Sequence, residues 1–279
     1  MIETTFRAMG TTISLHGDAS NIARAGSAFD RYERRFSRFL PDSELSRMNA
    51  SRAETVRLSP TMAEIMTIAA DLRNRTDGLV DVGVGGAVVD WGYAGTFADI
   101  CDLDQAPEHA LRQPWNLEAT MLHRSPGTMI DLGGIAKGWA CDRVVESGLA
   151  AVASAGGDLR SKDPSLVVDV VDGDGDIAAE VFVGVGALAT SSITKRRWKV
   201  AGSAAHHVID PRTMAPATTP IASATVVART AAEAEAGAKA VLLKGVGGLA
   251  WADSQPWISR AIAVWHDGNV YGTAIARAS

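Results

Sequence analysis

Cysteine is scarce: the 279 residues hold only Cys101 and Cys141, with neither a CxxC pair nor a histidine at ligand spacing. A disulfide framework and a zinc centre are therefore not expected, and both thiols are read as reduced. No apolar run reaches the roughly 20 residues that a membrane-spanning helix needs. The opening, Met1-Ile2-Glu3-Thr4-Thr5-Phe6-Arg7, lacks the basic-then-apolar order of a secretory signal, and no lipobox follows. The expectation is a chain that is cytoplasmic as given, without a membrane partner. Excess positive charge is missing as well, since 27 Lys+Arg face 32 Asp+Glu for a net charge of −5. Nucleic acid is accordingly not expected as a partner. Repeats of fixed period are absent. What remains is 47% hydrophobic and 21% charged, an ordinary globular composition long enough to bury a core.

Apolar residues at Ile22, Ala25, Phe29, Tyr32 and Phe36 predict an amphipathic helix over Ile22 to Phe39. Ser59-Pro60 reads as the cap and first residue of another, with Met62, Ile65, Ala69 and Leu72 on one face and Gly78 as its stop. Helices are also expected over Ile135 to Ser147 and Ala231 to Leu243. Alternation and β-branched runs place strands at Thr11 to His16, Met129 to Leu132, Leu166 to Val171, Ala179 to Val183, His207 to Ile209, Ala224 to Ala228, Ala261 to Val264 and Val270 to Ala274. Strands and helices are mixed rather than alternating, which favours α+β over a doubly wound sheet. The stretch from Ala94 to His123, with Pro107 and Pro114 and little periodicity, reads as an irregular excursion.

The segment Asp131-Leu132-Gly133-Gly134-Ile135-Ala136-Lys137-Gly138 carries the most chemistry. It leads into a helix through adjacent glycines with a lysine in the first turn, which suits a phosphate; a tight turn with a solvated lysine is the alternative. Gly156-Gly157-Asp158 forms a second close-approach turn, whose Asp could accept from a sugar hydroxyl or an adenine amine. Asp172 to Asp176 imitates a calcium loop but has Ile177 where Gly is required, so it reads as a hairpin turn. Gly184 to Ala189 fits a dinucleotide fingerprint in letters only, and reads as turn and strand. His206-His207-Val208-Ile209-Asp210-Pro211-Arg212-Thr213 gathers a proton carrier, a carboxylate and a guanidinium at a strand end. Ser191, His207 and Asp210 do not amount to a serine hydrolase, because no G-x-S-x-G elbow exists.

Taken in order, these segments resemble the FAD:protein FMN transferase (ApbE-type) family. Met9-Gly10-Thr11 looks like its opening signature, and Asp42-Ser43-Glu44-Leu45-Ser46-Arg47-Met48-Asn49 is similar to its D-S-x-L-S-x-x-N segment. Asp77 to Gly85 with Trp91-Gly92, Asp131 to Gly138, Gly156 to Arg160, Ala189-Thr190-Ser191 and His207 to Thr213 fall where the family places its further motifs. The likeness runs from about residue 6 to 245. It implies a single domain over residues 1–279, with mixed, mainly antiparallel sheets and packed helices. It also implies an enzyme that splits FAD, attaches FMN to a Ser or Thr of a target flavoprotein and releases AMP.

By that resemblance Met9, Phe39, Leu79, Val80, Asp81, Asp131, Lys137 and Ile209 line the FAD site, while His207 handles protons and Glu235 organises the reaction centre. The family's Mg2+ is held by a carbonyl aligned with Gly134 and by an Asp and a Thr of an A-D-A-L-A-T helix. Here those helix positions read Glu235 and Lys239, with Gly237 for the Leu. An ammonium cannot ligate a cation. Three readings follow: Glu235 and Lys239 form a plain i,i+4 ion pair; Lys239 replaces the metal as a fixed charge; or the ion is kept by Glu235, Gly134 and the nucleotide while Lys239 points elsewhere. The transferase reading stands beside two alternatives, a non-catalytic FAD carrier or sensor and an FAD pyrophosphatase releasing FMN and AMP.

Overall fold

The computed structural model describes residues 2–100, 102–108, 112–172 and 175–273. Its α-helices are α1 (Ala19–Phe36), α2 (Glu44–Ala50), α3 (Pro60–Arg75), α4 (Gly85–Asp90), α5 (Ala136–Glu146), α6 (Ala231–Lys244) and α7 (Gly248–Asp253). The chain divides into two compact units: Met1–Arg31, Ile135–Thr194 and Thr219–Ser279 form unit 1, and Tyr32–Gly134 with Lys195–Thr218 form unit 2.

Unit 1 is built on an eight-stranded sheet whose spatial order follows chain order: Ile2–Ala8, Thr11–Gly17, Val152–Ala155, Asp158–Ser161, Gly186–Ser192, Ile221–Ala228, Ile258–Trp265 and Val270–Gly272. Every neighbouring pair is antiparallel. Met9 and Gly10 make the first hairpin turn at φ 51° and 69°, and the left-handed angle is unusual for a side chain as large as Met. All eight residues of Ile221–Ala228 are buried, which explains their unbroken run of apolar and small residues. On one face Val227 packs with Leu188, Ile262, Val170 and Val181. On the other lies α6, which also packs against α5. Thr230 and Glu233 close a capping box on α6, satisfying two backbone N–H groups reciprocally.

Unit 2 holds α2, α3, α4 and a three-stranded sheet in the order Thr55–Arg57, Met121–Arg124, Trp115–Glu118. Ser59 caps α3 through the Met62 amide with Pro60 in the first turn, as the sequence predicts. Two further hairpins, Arg197–Val200 with Ser203–His206 and Ile209–Asp210 with Ala215–Pro216, complete the unit. Its core includes Val88, Tyr93, Trp198, Val200, Ile209 and Met214.

The α+β class, with mainly antiparallel sheets, is observed. Three local expectations are corrected. Met129 to Leu132 joins no sheet: the Asn49 side chain brackets Ile130, donating to its carbonyl at 2.8 Å and accepting from its amide at 2.9 Å, while the Gly85 amide donates to the Met129 carbonyl and the Asp131 amide to the Val82 carbonyl. The excursion from Ala94 to His123 ends in the hairpin Trp115–Glu118/Met121–Arg124, whose turn bears Ala119 at φ 52°. The strand expected over His207 to Ile209 is instead two short ones, Ser203–His206 and Ile209–Asp210, with His207 between them. Cys101 and Ala274, named in the sequence reading, lie outside the described residues, as do Gly173 and Asp174 of the Asp172 to Asp176 turn. No helix among the described residues is long and apolar enough to cross a membrane.

Candidate active site

In unit 1, Lys137 is the second residue of α5, whose N-cap, Ile135, provides no side-chain cap. Its Nζ lies 3.2 Å from Oδ2 of Asp158. Asp158 follows the Gly156-Gly157 turn, where glycine is obligatory: Gly156 has φ 72°, and a Cβ on Gly157 would fall 2.7 Å from the Thr190 carbonyl oxygen. From α6, Glu235 adjoins Asp158, and Lys239, one turn on, closes onto Oε1 of Glu235. These elements approach closely because Gly138 of α5 lies against α6; a Cβ there would be 2.8 Å from the Ala231 carbonyl carbon. Lys137, Asp158, Glu235 and Lys239 thus form one linked cluster.

Burial, and then the charge of Glu235, pushes Asp158 up from the usual carboxylate range. Burial works the same way on Glu235, but Lys239 and then Lys137 overcome it and hold Glu235 below that range. Beside them, burial raises Asp142 to about 7 although the Ala231 and Ala232 amides donate to it at 2.8 and 3.0 Å. Asp142 thereby takes up the first N–H groups of α6, leaving them committed to structure. Cys141 is a free thiol, fully buried, and burial pushes its pKa well above the ordinary value.

Unit 2 uses its acids differently. Asp81 accepts from the Trp115 indole at 2.7 Å, the Gly83 amide at 2.8 Å and Nε of Arg112 at 2.9 Å, so both oxygens are engaged. Asp131 pairs with Nε of Arg38 at 3.1 Å and accepts from the Gly133 amide at 2.6 Å. The Arg38 guanidinium lies over the Phe39 and Tyr93 rings, 4.2 and 4.6 Å from their centroids. Phe39 is exposed at the surface. Asp210 is gripped by Arg212 through Nε and Nη2, at 2.6 Å for the latter. The adjacent histidines part company: His206 is buried, accepting from the Val208 amide at Nδ1 and facing the Ala217 carbonyl with Nε2 at 3.0 Å, whereas His207 is half-buried. The first bond requires the proton of a neutral His206 ring to sit on Nε2.

Met9, Lys137 and Glu235 therefore belong to unit 1, and Phe39, Leu79, Val80, Asp81, Asp131, Gly134, His207 and Ile209 to unit 2. Within unit 1, Lys137 and Glu235 meet through Asp158. Within unit 2, Phe39 and Asp131 meet through Arg38, and Leu79 and Val80 precede Asp81 in the loop after α3. Ile209 is a buried core residue. Sequence reasoning missed Arg38, which no motif marks. It also offered Asp158 to a sugar or adenine, whereas that side chain is 2% exposed and paired with lysine.

A family model described as the ApbE family matches residues 9–262. The chain belongs to the ApbE family. Its curated relatives include the FAD:protein FMN transferase of Escherichia coli K12, 26% identical over 74% of this chain and 66% of the relative. Another, the FAD:protein FMN transferase of Rhodobacter capsulatus, is 27% identical over 99% of this chain and 58% of the relative. The chain thus spans 66% and 58% of the length of these two relatives. Among solved structures it is similar to the ApbE protein of Thermotoga maritima, with TM-score 0.84 and 25% identity, covering 98% of this chain and 96% of that one.

An ApbE-family magnesium at Glu235 does not fit the residues present. The ammonium of Lys239 holds the carboxylate oxygen that the ion needs, and it can only donate. Two unit charges about 4 Å apart interact by about 4 kcal/mol near a protein surface, a repulsion doubled for a divalent ion. Among the described residues no group of three or more His, Cys, Asp or Glu could hold a metal ion. The family's helix Leu is also gone for a packing reason: a Cβ on Gly237 would lie 2.9 Å from Val226 Cγ1 and 3.3 Å from the Trp257 ring, which fill its space.

Proposed function

We propose that this chain binds FAD and transfers FMN to a Ser or Thr of a target flavoprotein, releasing AMP. The observation that carries the reading is the lysine cluster at the start of α5, a place suited to a diphosphate, in a chain whose family includes FAD:protein FMN transferases. In this reading Lys137 of unit 1 draws in the diphosphate; in unit 2, exposed Phe39 and half-buried Val80 offer apolar surface to a ring system, while Leu79, 5% exposed, lies in the core. Asp81 and Asp131, whose oxygens are already engaged, act by holding their loops in shape rather than by bonding the nucleotide. Met9 displays its side chain from a left-handed turn, and Ile209 supports the strand end that carries His207. Half-buried His207 of unit 2 is the proton-handling group, and Glu235 of unit 1 organises its cluster by fixing Lys239. Gly134, at the head of the glycine turn, offers backbone rather than a metal site.

The test is incubation of purified protein with FAD and a flavoprotein carrying the acceptor Thr, with and without magnesium, reading AMP by chromatography and bound flavin by in-gel fluorescence. AMP together with covalently flavinylated target is expected. The ammonium at position 239 favours one second reading, a carrier that retains FAD and yields no AMP on prolonged incubation. AMP without bound flavin would instead mark a pyrophosphatase.

A further inference from the structure

The unit 1 cluster is layered by charge. Its carboxylates lie inside, with side chains 2% exposed at Asp158 and 6% at Glu235, while its ammonium-bearing side chains reach solvent, 17% exposed at Lys137 and 18% at Lys239. On α6 every residue except Lys239 and Lys244 is buried, so Lys239 stands at an opening in an otherwise closed helix. An inner layer of acids that fixes an outer layer of cations is the inverse of a metal site, where acids face the ligand. It is preorganised for an anion, because the charges are in place before the ligand arrives.

We propose that the Lys137–Asp158–Glu235–Lys239 cluster is a built-in cationic site for the diphosphate of FAD, with Lys239 standing where the family places its metal, so that the nucleotide binds without a divalent cation. Two positions of the chain converge on this assignment. Lys137 brings one ammonium to the start of α5, and the change of the helix pattern to Glu235 and Lys239 brings the second within the same cluster. Glu235, one methylene longer than the family's Asp, is committed to Lys239. Held by Glu235, the Lys239 ammonium is a tethered cation in place of an exchangeable one. A lysine is a compact point charge able to donate in several directions, which suits phosphate oxygens.

This inference rests on the FAD reading above, and the experiment separates the two. The whole chain is titrated with FAD by calorimetry in excess EDTA and again in excess magnesium chloride. Dissociation constants agreeing within about twofold are expected. Lys239→Gln keeps the stem and a donor to Glu235 but removes the charge, and about a tenfold loss of affinity in EDTA is expected. Lys239→Thr restores an oxygen donor, and its FAD affinity is expected to become magnesium-dependent. Circular dichroism on both variants confirms that they fold, and inorganic pyrophosphate is expected to compete with FAD on the wild-type protein in EDTA. FAD binding only with magnesium, or unchanged affinity in Lys239→Gln, overturns the inference and leaves the FAD reading standing. No heat in either buffer overturns both.

Discussion

Asp158 and Glu235 of unit 1 are neutralised in the opposite way to the buried acids of unit 2, whereas Asp142 of unit 1 is closed by backbone amides as those are. In unit 2, Asp81, Asp131 and Asp210 are closed by arginine nitrogens, backbone amides or an indole, groups with fixed directions that match the carboxylate lone pairs. In unit 1, Asp158 and Glu235 are held by lysines and by one another, and Oδ2 of Asp158 has an ammonium at 3.2 Å but no aligned hydrogen bond. Guanidinium forks and amides make rigid scaffolding. Ammonium groups make a charge distribution that a ligand can rearrange at low cost. Scaffold and chemistry are thus distinguished less by which acids are buried than by what neutralises them.

The contrast can be attacked at several points, the strongest first. Asp81→Ala strands the Trp115 indole, the Gly83 amide and Arg112, and is expected to destabilise the protein by about 3 kcal/mol in urea unfolding. A loss under about 1 kcal/mol would remove Asp81 from the scaffold. Gly138→Ala places a methyl against the Ala231 backbone and is expected to cost about 2 kcal/mol, and to weaken FAD binding by shifting Lys137. An unchanged FAD affinity in a folded Gly138→Ala protein would uncouple helix approach from the cluster.

Asp142 supplies a pH test within unit 1. Burial raises it to about 7 in the folded protein, so between about pH 4 and 7 the native state holds a proton that the unfolded chain releases. Its contribution is complete below the unfolded pKa and is lost as pH rises through about 7. Asp142→Asn cannot titrate and mispairs one of the two α6 amides. It is expected to be less stable than wild type by about 2 kcal/mol at pH 5, with the gap narrowing toward pH 8 in parallel denaturation series. A gap that widens with pH would reverse the assignment. Last, Thr230→Ala removes the cap of α6 and is expected to cost about 1 kcal/mol, read as a shift in thermal midpoint.

Legibility followed locality. The cap and proline at Ser59-Pro60, the helix start at Ala231 and the Gly156-Gly157 turn all rest on residues within four or five positions of each other, where backbone chemistry is nearly self-sufficient. Met129 to Leu132 carries the letters of a strand, but its partners are a side chain 81 residues away, Asn49, and the backbone of Val82 and Gly85 rather than a strand. The hairpin Trp115–Glu118/Met121–Arg124 is masked in the sequence by Pro107 and Pro114 ahead of it, which break the alternation of the stretch. In the candidate site, Lys137 and Glu235 were found by motif, but the motifs carry no sign that Asp158 joins them or that Arg38 bridges Phe39 and Asp131.

From its letters alone, then, this chain determined its class, its glycine turns, its family resemblance and the exchange of a metal ligand for a lysine at position 239. Folding alone decided which side of each charged pair faces water. Burial energies depend on neighbours brought in from distant segments, and only their packing put the acids of the Lys137–Asp158–Glu235–Lys239 group inside and its lysines toward solvent.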